Sequence, residues 1–158
     1  MLILGIDPGS ITVGYGIVQH SKGVAVYVAS GCIKIGKLDW PDRLKHIYLD
    51  LTHLIEKYAP QQVAIEKVFV HKNADSALKL GQARGVAIAA AACQNLTLAE
   101  YSARQVKQAV VGYGNADKLQ VQQMVKNILN LNAAPATDAA DALAVALCHG
   151  NSIKRNIT

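Results

Sequence analysis

Leu2-Ile3-Leu4-Gly5-Ile6-Asp7-Pro8-Gly9-Ser10 opens the chain with a continuous apolar run that ends on an acid and a turn. A short run of this kind predicts a buried strand, because Pro-Gly-Ser stops it cleanly. Two further runs, Val13 to Gln19 and Val24 to Ile35, are separated by Ser21-Lys22-Gly23. This strand–turn–strand pattern extends the first strand into an antiparallel meander.

Beyond the meander the pattern changes period. Leu44, Ile47, Tyr48, Leu51, Leu54, Ile55 and Tyr58 recur at three and four residues and form one apolar stripe of a helix, with Pro41 suited to its first turn and Pro60 past its end. Val63-Ala64-Ile65 predicts a short strand ending in Glu66, residues 74–94 a tightly packed Ala- and Gly-rich helix, and Leu96 to Tyr101 another strand. Ser102-Ala103-Arg104-Gln105 has the form of a capping box and opens a helix to about Val111. Leu119 to Leu129 and Asp138 to Cys148 read as the last two helices. The order β-β-β-α-β-α-β-α-α-α predicts an α/β fold: a five-stranded mixed sheet with helices on both faces. Residues 1–150 are expected to form a single domain, and residues 151–158 a short flexible tail.

The chain has 158 residues, 51% of them apolar and 17% charged, with a formal charge of +5 and a pI near 9.2. Half-apolar composition with few charges excludes disorder, and the length leaves no room for a two-domain enzyme with a large cofactor cradle. The charge is localised. Residues 1–66 hold six basic and six acidic side chains, and residues 127–158 hold two of each. Residues 67–126 hold Lys67, Lys72, Lys79, Arg84, Arg104, Lys107, Lys118 and Lys126 against Asp75, Glu100 and Asp117, which accounts for the whole excess. A local basic belt points to a phosphate-bearing partner. Three cysteines, Cys32, Cys93 and Cys148, show no paired spacing and predict a reducing compartment without a disulfide frame or zinc site. No basic leader and no apolar run near the roughly 20 residues of a membrane span are present, so a soluble cytoplasmic protein with no membrane association is expected.

Among the acids, Asp7 and Glu66 stand where apolar strands end, the place where ligand groups gather in such sheets. Asp138 and Asp141 share one face of the last helix at i and i+3. Taken singly, each of the four reads more readily as a turn or helix cap than as a functional group. Taken together without basic partners they would repel, and hard divalent cations resolve that repulsion: Mg²⁺ takes carboxylate oxygens, and two such ions serve in-line displacement at phosphorus. Lys118 and Arg104 lie in the first turns of predicted helices, against the dipole, with Lys107 one turn later. A gripped phosphate would justify that placement, and a solvated surface cation is the alternative. Phe69 is the only Phe of the chain and stands between Lys67 and Lys72; it either closes the core or projects to stack on bases.

These residues carry a family resemblance. Asp7-Pro8-Gly9-Ser10 with Gly14-Tyr15-Gly16, Glu66-Lys67-Val68-Phe69, Leu80-Gly81-Gln82-Ala83-Arg84-Gly85, Tyr113-Gly114-Asn115-Ala116-Asp117-Lys118-Leu119-Gln120-Val121 and Asp138-Ala139-Ala140-Asp141-Ala142-Leu143-Ala144 resemble, in order and spacing, the RuvC Holliday junction resolvases of bacteria. The resemblance implies an RNase H-like fold and a homodimer that makes symmetric paired nicks in four-way junction DNA, in recombination and repair. It implies Asp7, Glu66, Asp138 and Asp141 as the metal-binding catalytic acids, with two Mg²⁺ per site and Mn²⁺ as a substitute. Lys107 and Lys118 match basic residues near the scissile phosphate and Phe69 a junction-contacting aromatic; Lys72 and Arg104 are further candidates for DNA contact. The helix over residues 74–94 would form the dimer interface, and RuvA and RuvB would be partners. The expected mechanism places one ion on Asp7 and the Asp138/Asp141 face and a second between Asp7 and Glu66, leaving 5′ phosphate and 3′ hydroxyl ends. An RNase H-like nuclease acting on RNA, of the YqgF type, shares the acid logic and is the main alternative. An actin- or sugar-kinase-type ATPase, suggested by Asp7-x-Gly9-x-x-Thr12, and a DNA-binding module without catalysis are more distant ones.

Overall fold

The computed structural model describes residues 1–69 and 73–155. Strands β1 (Leu2–Asp7), β2 (Thr12–Ser21) and β3 (Val24–Lys34) form the meander, followed by α1 (Trp40–Tyr58), β4 (Gln62–Glu66), α2 (Ala74–Cys93), β5 (Thr97–Tyr101), α3 (Ala103–Val111), α4 (Lys118–Ile128) and α5 (Thr137–Arg155). The five strands lie in the order β3-β2-β1-β4-β5. β1 pairs antiparallel with β2 and parallel with β4, and β4 pairs parallel with β5, so the sheet is mixed, as expected. The β2–β3 turn places both Lys22 and Gly23 at positive φ, the geometry that matches the twist of a tight hairpin. The register of that pair shifts between Ile17 and Val18. The extra residue breaks the alternation of β3 and leaves Val26, Tyr27 and Val28 all exposed on this edge strand.

Alternation along β1 divides the core. Leu4 and Ile6 pack with Ile47, Leu51 and Ile55 of α1 and Ala83, Ala87, Ala90 and Ala91 of α2 on one face. Ile3, Val18 and Ala64 pack with α5 on the other, and α3 and α4 lie against α5 in turn. Helix α5 is buried almost continuously from Ala139 to His149, with only Asp141 partly open in that span. Small residues allow its close approach: a Cβ on Gly5 would collide with the Ala142 carbonyl, and one on Gly14 with the Asp138 carbonyl.

One boundary differs from the sequence reading. α1 begins at Trp40 with Pro41 in its first turn, as expected, whereas α5 does not end near Cys148 but runs on to Arg155, so the expected tail is helical through that residue. Gly150 does not break it, because the glycine serves packing: its Cα lies against the His20 imidazole, where a Cβ would meet Cδ2 at 2.6 Å. The same end of the sheet holds a polar link in which His149 Nδ1 meets the Tyr101 hydroxyl at 2.8 Å and Nε2 meets Gln62 Oε1 at 2.5 Å. Among the described residues no helix is long and apolar enough to cross a membrane.

Candidate active site

The parallel strands β1 and β4 end side by side, and their last residues are Asp7 and Glu66. Alternation puts both side chains on the α5 face, since Gly5 lies beneath α5 and Ala64 belongs to that half of the core. The first turns of α5 sit directly over β1 and β2, held down at Gly5 and Gly14, so Asp138 and Asp141 descend beside Asp7. Carboxylate oxygens of Asp7, Asp138 and Asp141 all lie within 4.8 Å of one another. Glu66 stands outside that trio and joins Asp7 and Asp141 in lining one cleft of about 290 Å³.

The cleft has a basic rim. Lys67, Lys107 and Lys118 line it, together with the exposed Phe69 and with Pro8, Leu80, Val106 and Val121. Lys118 Nζ approaches Asp141 Oδ2 at 3.5 Å from the first residue of α4, whose N-terminus is closed by a capping box between Asp117 and Gln120. Phe69 is 63% exposed, so it projects and does not close the core. Arg104 stands apart: it lines a second cleft, of about 520 Å³, with Gln105, Gln108 and Ser152 on the other side of α3. Lys72 lies outside the described residues.

Burial and mutual repulsion govern the acids. Removal from water pushes Asp7 up to about 8 from its ordinary 3.8, Glu66, Asp141 and Asp138 add to the rise, and Lys118 opposes it. Burial also raises Glu66, reinforced by Asp141 and opposed by Lys118 and Lys107. Asp141 is raised by burial and drawn back first by Lys118. Burial and mutual repulsion thus disfavour ionisation of Asp7, Glu66 and Asp141 together, and with Asp138 beside them the site is built of carboxylates. That is the donor set of a hard divalent cation, with oxygen ligands only.

A family model described as crossover junction endodeoxyribonuclease RuvC matches residues 3–149. The chain belongs to the RuvC family. The crossover junction endodeoxyribonuclease RuvC of Pseudoalteromonas translucida is 60% identical over 151 residues, covering 96% of this chain and 87% of that one. The RuvC of Haemophilus ducreyi is 55% identical over 156 residues, covering 99% and 81%. Among solved structures, Thermus thermophilus RuvC superposes with a TM-score of 0.89 at 33% identity, covering 99% of this chain and 97% of that one. The T. thermophilus RuvC in complex with Holliday junction substrate gives 0.89 at 30% identity, covering 98% and 96%. The fold is therefore the RNase H-like fold of RuvC.

Of the residues that the sequence singles out, Asp7, Glu66, Phe69, Lys107, Lys118 and Asp141 line one cleft, and Asp138 lies beside Asp7 and Asp141. Sequence reasoning counted Lys67 only as charge, although that lysine follows Glu66 directly and lines the cleft. It also passed over Gly5 and Gly14 as structural elements of the site. Their signal was the small residue set inside an otherwise bulky strand.

Proposed function

We propose that this chain is a Holliday junction resolvase, a divalent-cation-dependent endonuclease that makes symmetric paired nicks in four-way DNA junctions. The observation that carries the reading is the convergence of Asp7, Asp138 and Asp141 within 4.8 Å beneath a rim of lysines. Membership of the family, one solved member of which is in complex with a junction substrate, supports the choice of DNA over RNA.

Asp7, Asp138 and Asp141 would hold one Mg²⁺, and Asp7 with Glu66 a second; Mn²⁺ suits the same oxygen donors. The cations supply charge neutralisation and Lewis acidity at the scissile phosphate. The protein's own groups do the rest. Lys107 and Lys118 grip backbone phosphate at the mouth of the cleft, and the Lys118 ammonium opposes protonation of Asp141. Phe69 offers an exposed ring for stacking on unpaired bases at the junction centre. Each nick exchanges a P–O3′ bond for a P–O bond to water, leaving a 5′ phosphate and a ligatable 3′ hydroxyl.

Paired nicks require two sites, so the working unit is a homodimer. Helix α2 suits its interface: a Cβ on Gly81 or Gly85 would meet nothing within 4 Å, and Leu78 is exposed. The proposal includes cytoplasmic action in recombination and repair beside RuvA and RuvB, a reading that membership of the family supports. The test is a synthetic four-way junction offered beside matched duplex and structured RNA, with and without Mg²⁺. Symmetric nicks in the junction alone, only with Mg²⁺, are expected; cleavage of RNA without cleavage of the junction would overturn the reading.

A further inference from the structure

Arg84 lies on α2, which packs on the face of the sheet opposite α5 while lending Leu80 to the cleft, and its guanidinium reaches the end of β4. Its Nε donates to the Glu66 carbonyl at 3.2 Å, and its Nη2 pairs closely with Glu100 Oε2. Glu100 precedes Tyr101 on β5, and Tyr101 is the register partner of Glu66. Glu100 shares the α2 face of the sheet with Leu98, whereas the Glu66 carboxylate shares the α5 face with Ala64. Arg84 therefore touches Glu66 only through its backbone.

The other polar atom of the same peptide is also held: the Lys67 amide donates to the Tyr101 carbonyl at 2.8 Å. A peptide group is planar, so fixing its carbonyl and its N–H fixes the plane. That plane sets the direction in which Glu66 leaves the backbone and in which Lys67-Val68-Phe69 departs from the sheet. The arginine side chain is 19% exposed and its bond to the Glu66 carbonyl is partly buried, whereas its carboxylate partner, at 41%, stands open to solvent. A lysine at the same place would meet Glu100 as a point charge but has no second, rigidly directed donor for the carbonyl.

We propose that Arg84 is a positioning residue for Glu66: by pinning the Glu66–Lys67 peptide from α2, it holds the Glu66 carboxylate at the metal-binding cleft. This rests on the reading of that cleft given above. Binding of Mn²⁺ to metal-free protein, followed by calorimetry, provides a readout independent of cleavage, with Asp7→Asn as the reference for the site. Arg84→Lys should weaken Mn²⁺ binding about tenfold, the scale of a lost outer-sphere contact. In a Glu66→Gln background the same substitution should change nothing further. Glu100→Gln, which leaves Arg84 in place and spares the fold, should act in the same direction and less strongly. Unchanged affinity in both variants, or an equal loss with and without the Glu66 carboxylate, would overturn the role of Arg84. Absence of any Asp7-dependent Mn²⁺ binding in the unaltered protein would instead overturn the reading of the cleft.

Discussion

Asp7 ends the central strand of the sheet and faces three other acids, so ionising it in the metal-free protein is costly. Its carboxyl is pushed up to about 8 when folded, while an unfolded chain would release the proton near 3.8. The folded state thus holds a proton that the unfolded state has lost. Stability from this source is complete below about pH 4 and is lost progressively as pH rises to about 8. Glu66 and Asp141, also raised, act in the same direction. Metal-free protein should melt at a lower temperature at pH 8 than at pH 5.5, Asp7→Asn should flatten that slope, and Mg²⁺ should raise the melting temperature more at pH 8 than at pH 5.5. Scanning calorimetry with and without chelator measures all three; a slope unaltered in Asp7→Asn would assign the pH dependence elsewhere. The same substitution should lower junction cleavage by roughly 10²–10³-fold or more, as removal of a charge-stabilising group does, while gel-shift affinity for the junction is kept.

At the scale of elements, the acid cluster depends on how closely α5 lies on the sheet. Gly14 is in β2 beside Asp7, and a Cβ there would drive into the Asp138 carbonyl. Gly14→Ala should therefore lift the first turn of α5, costing about 1–3 kcal/mol as overpacking does and weakening Mn²⁺ binding beyond what the stability loss explains. Urea unfolding and calorimetry on one preparation separate the two effects; equal Mn²⁺ affinity would mean that the turn absorbs the methyl elsewhere. The element also shows what was legible in the chain. The α1 stripe and the Ser102–Gln105 capping box can be read directly, because both are local, and both are present. The end of α5 and the bulge in β3 cannot, because each is decided by a distant partner: the His20 ring against Gly150, and the β2 register at Ile17 and Val18. The acids were legible singly as strand-end and helix-turn residues, but their 4.8 Å convergence follows from glycines under α5, which spacing does not encode.

Over the whole molecule, the basic belt of residues 67–126 does not form one surface. Lys67, Lys107 and Lys118 meet at the acid cleft, Arg104 turns to the other side of α3, Arg84 is paired with Glu100 beneath the sheet, and Lys79 is paired with Asp75 on α2. Sequence position therefore overstates the footprint, and the salt dependence of binding distinguishes the members. Each lysine that neutralises a phosphate releases a counterion, so its removal should reduce the slope of log affinity against log salt by about 0.9. Lys107→Gln should show that reduction with junction DNA, and with it a weakening that does not depend on sequence. Lys45→Gln, exposed on α1 on the opposite face of the sheet, should leave the slope unchanged. Fluorescence anisotropy over a salt series in chelator, where the proposed cation requirement for cleavage is unmet, measures both. Equal slopes for the two variants would mean that phosphate contact is spread over the surface, and would detach the lysine rim from the path of the DNA.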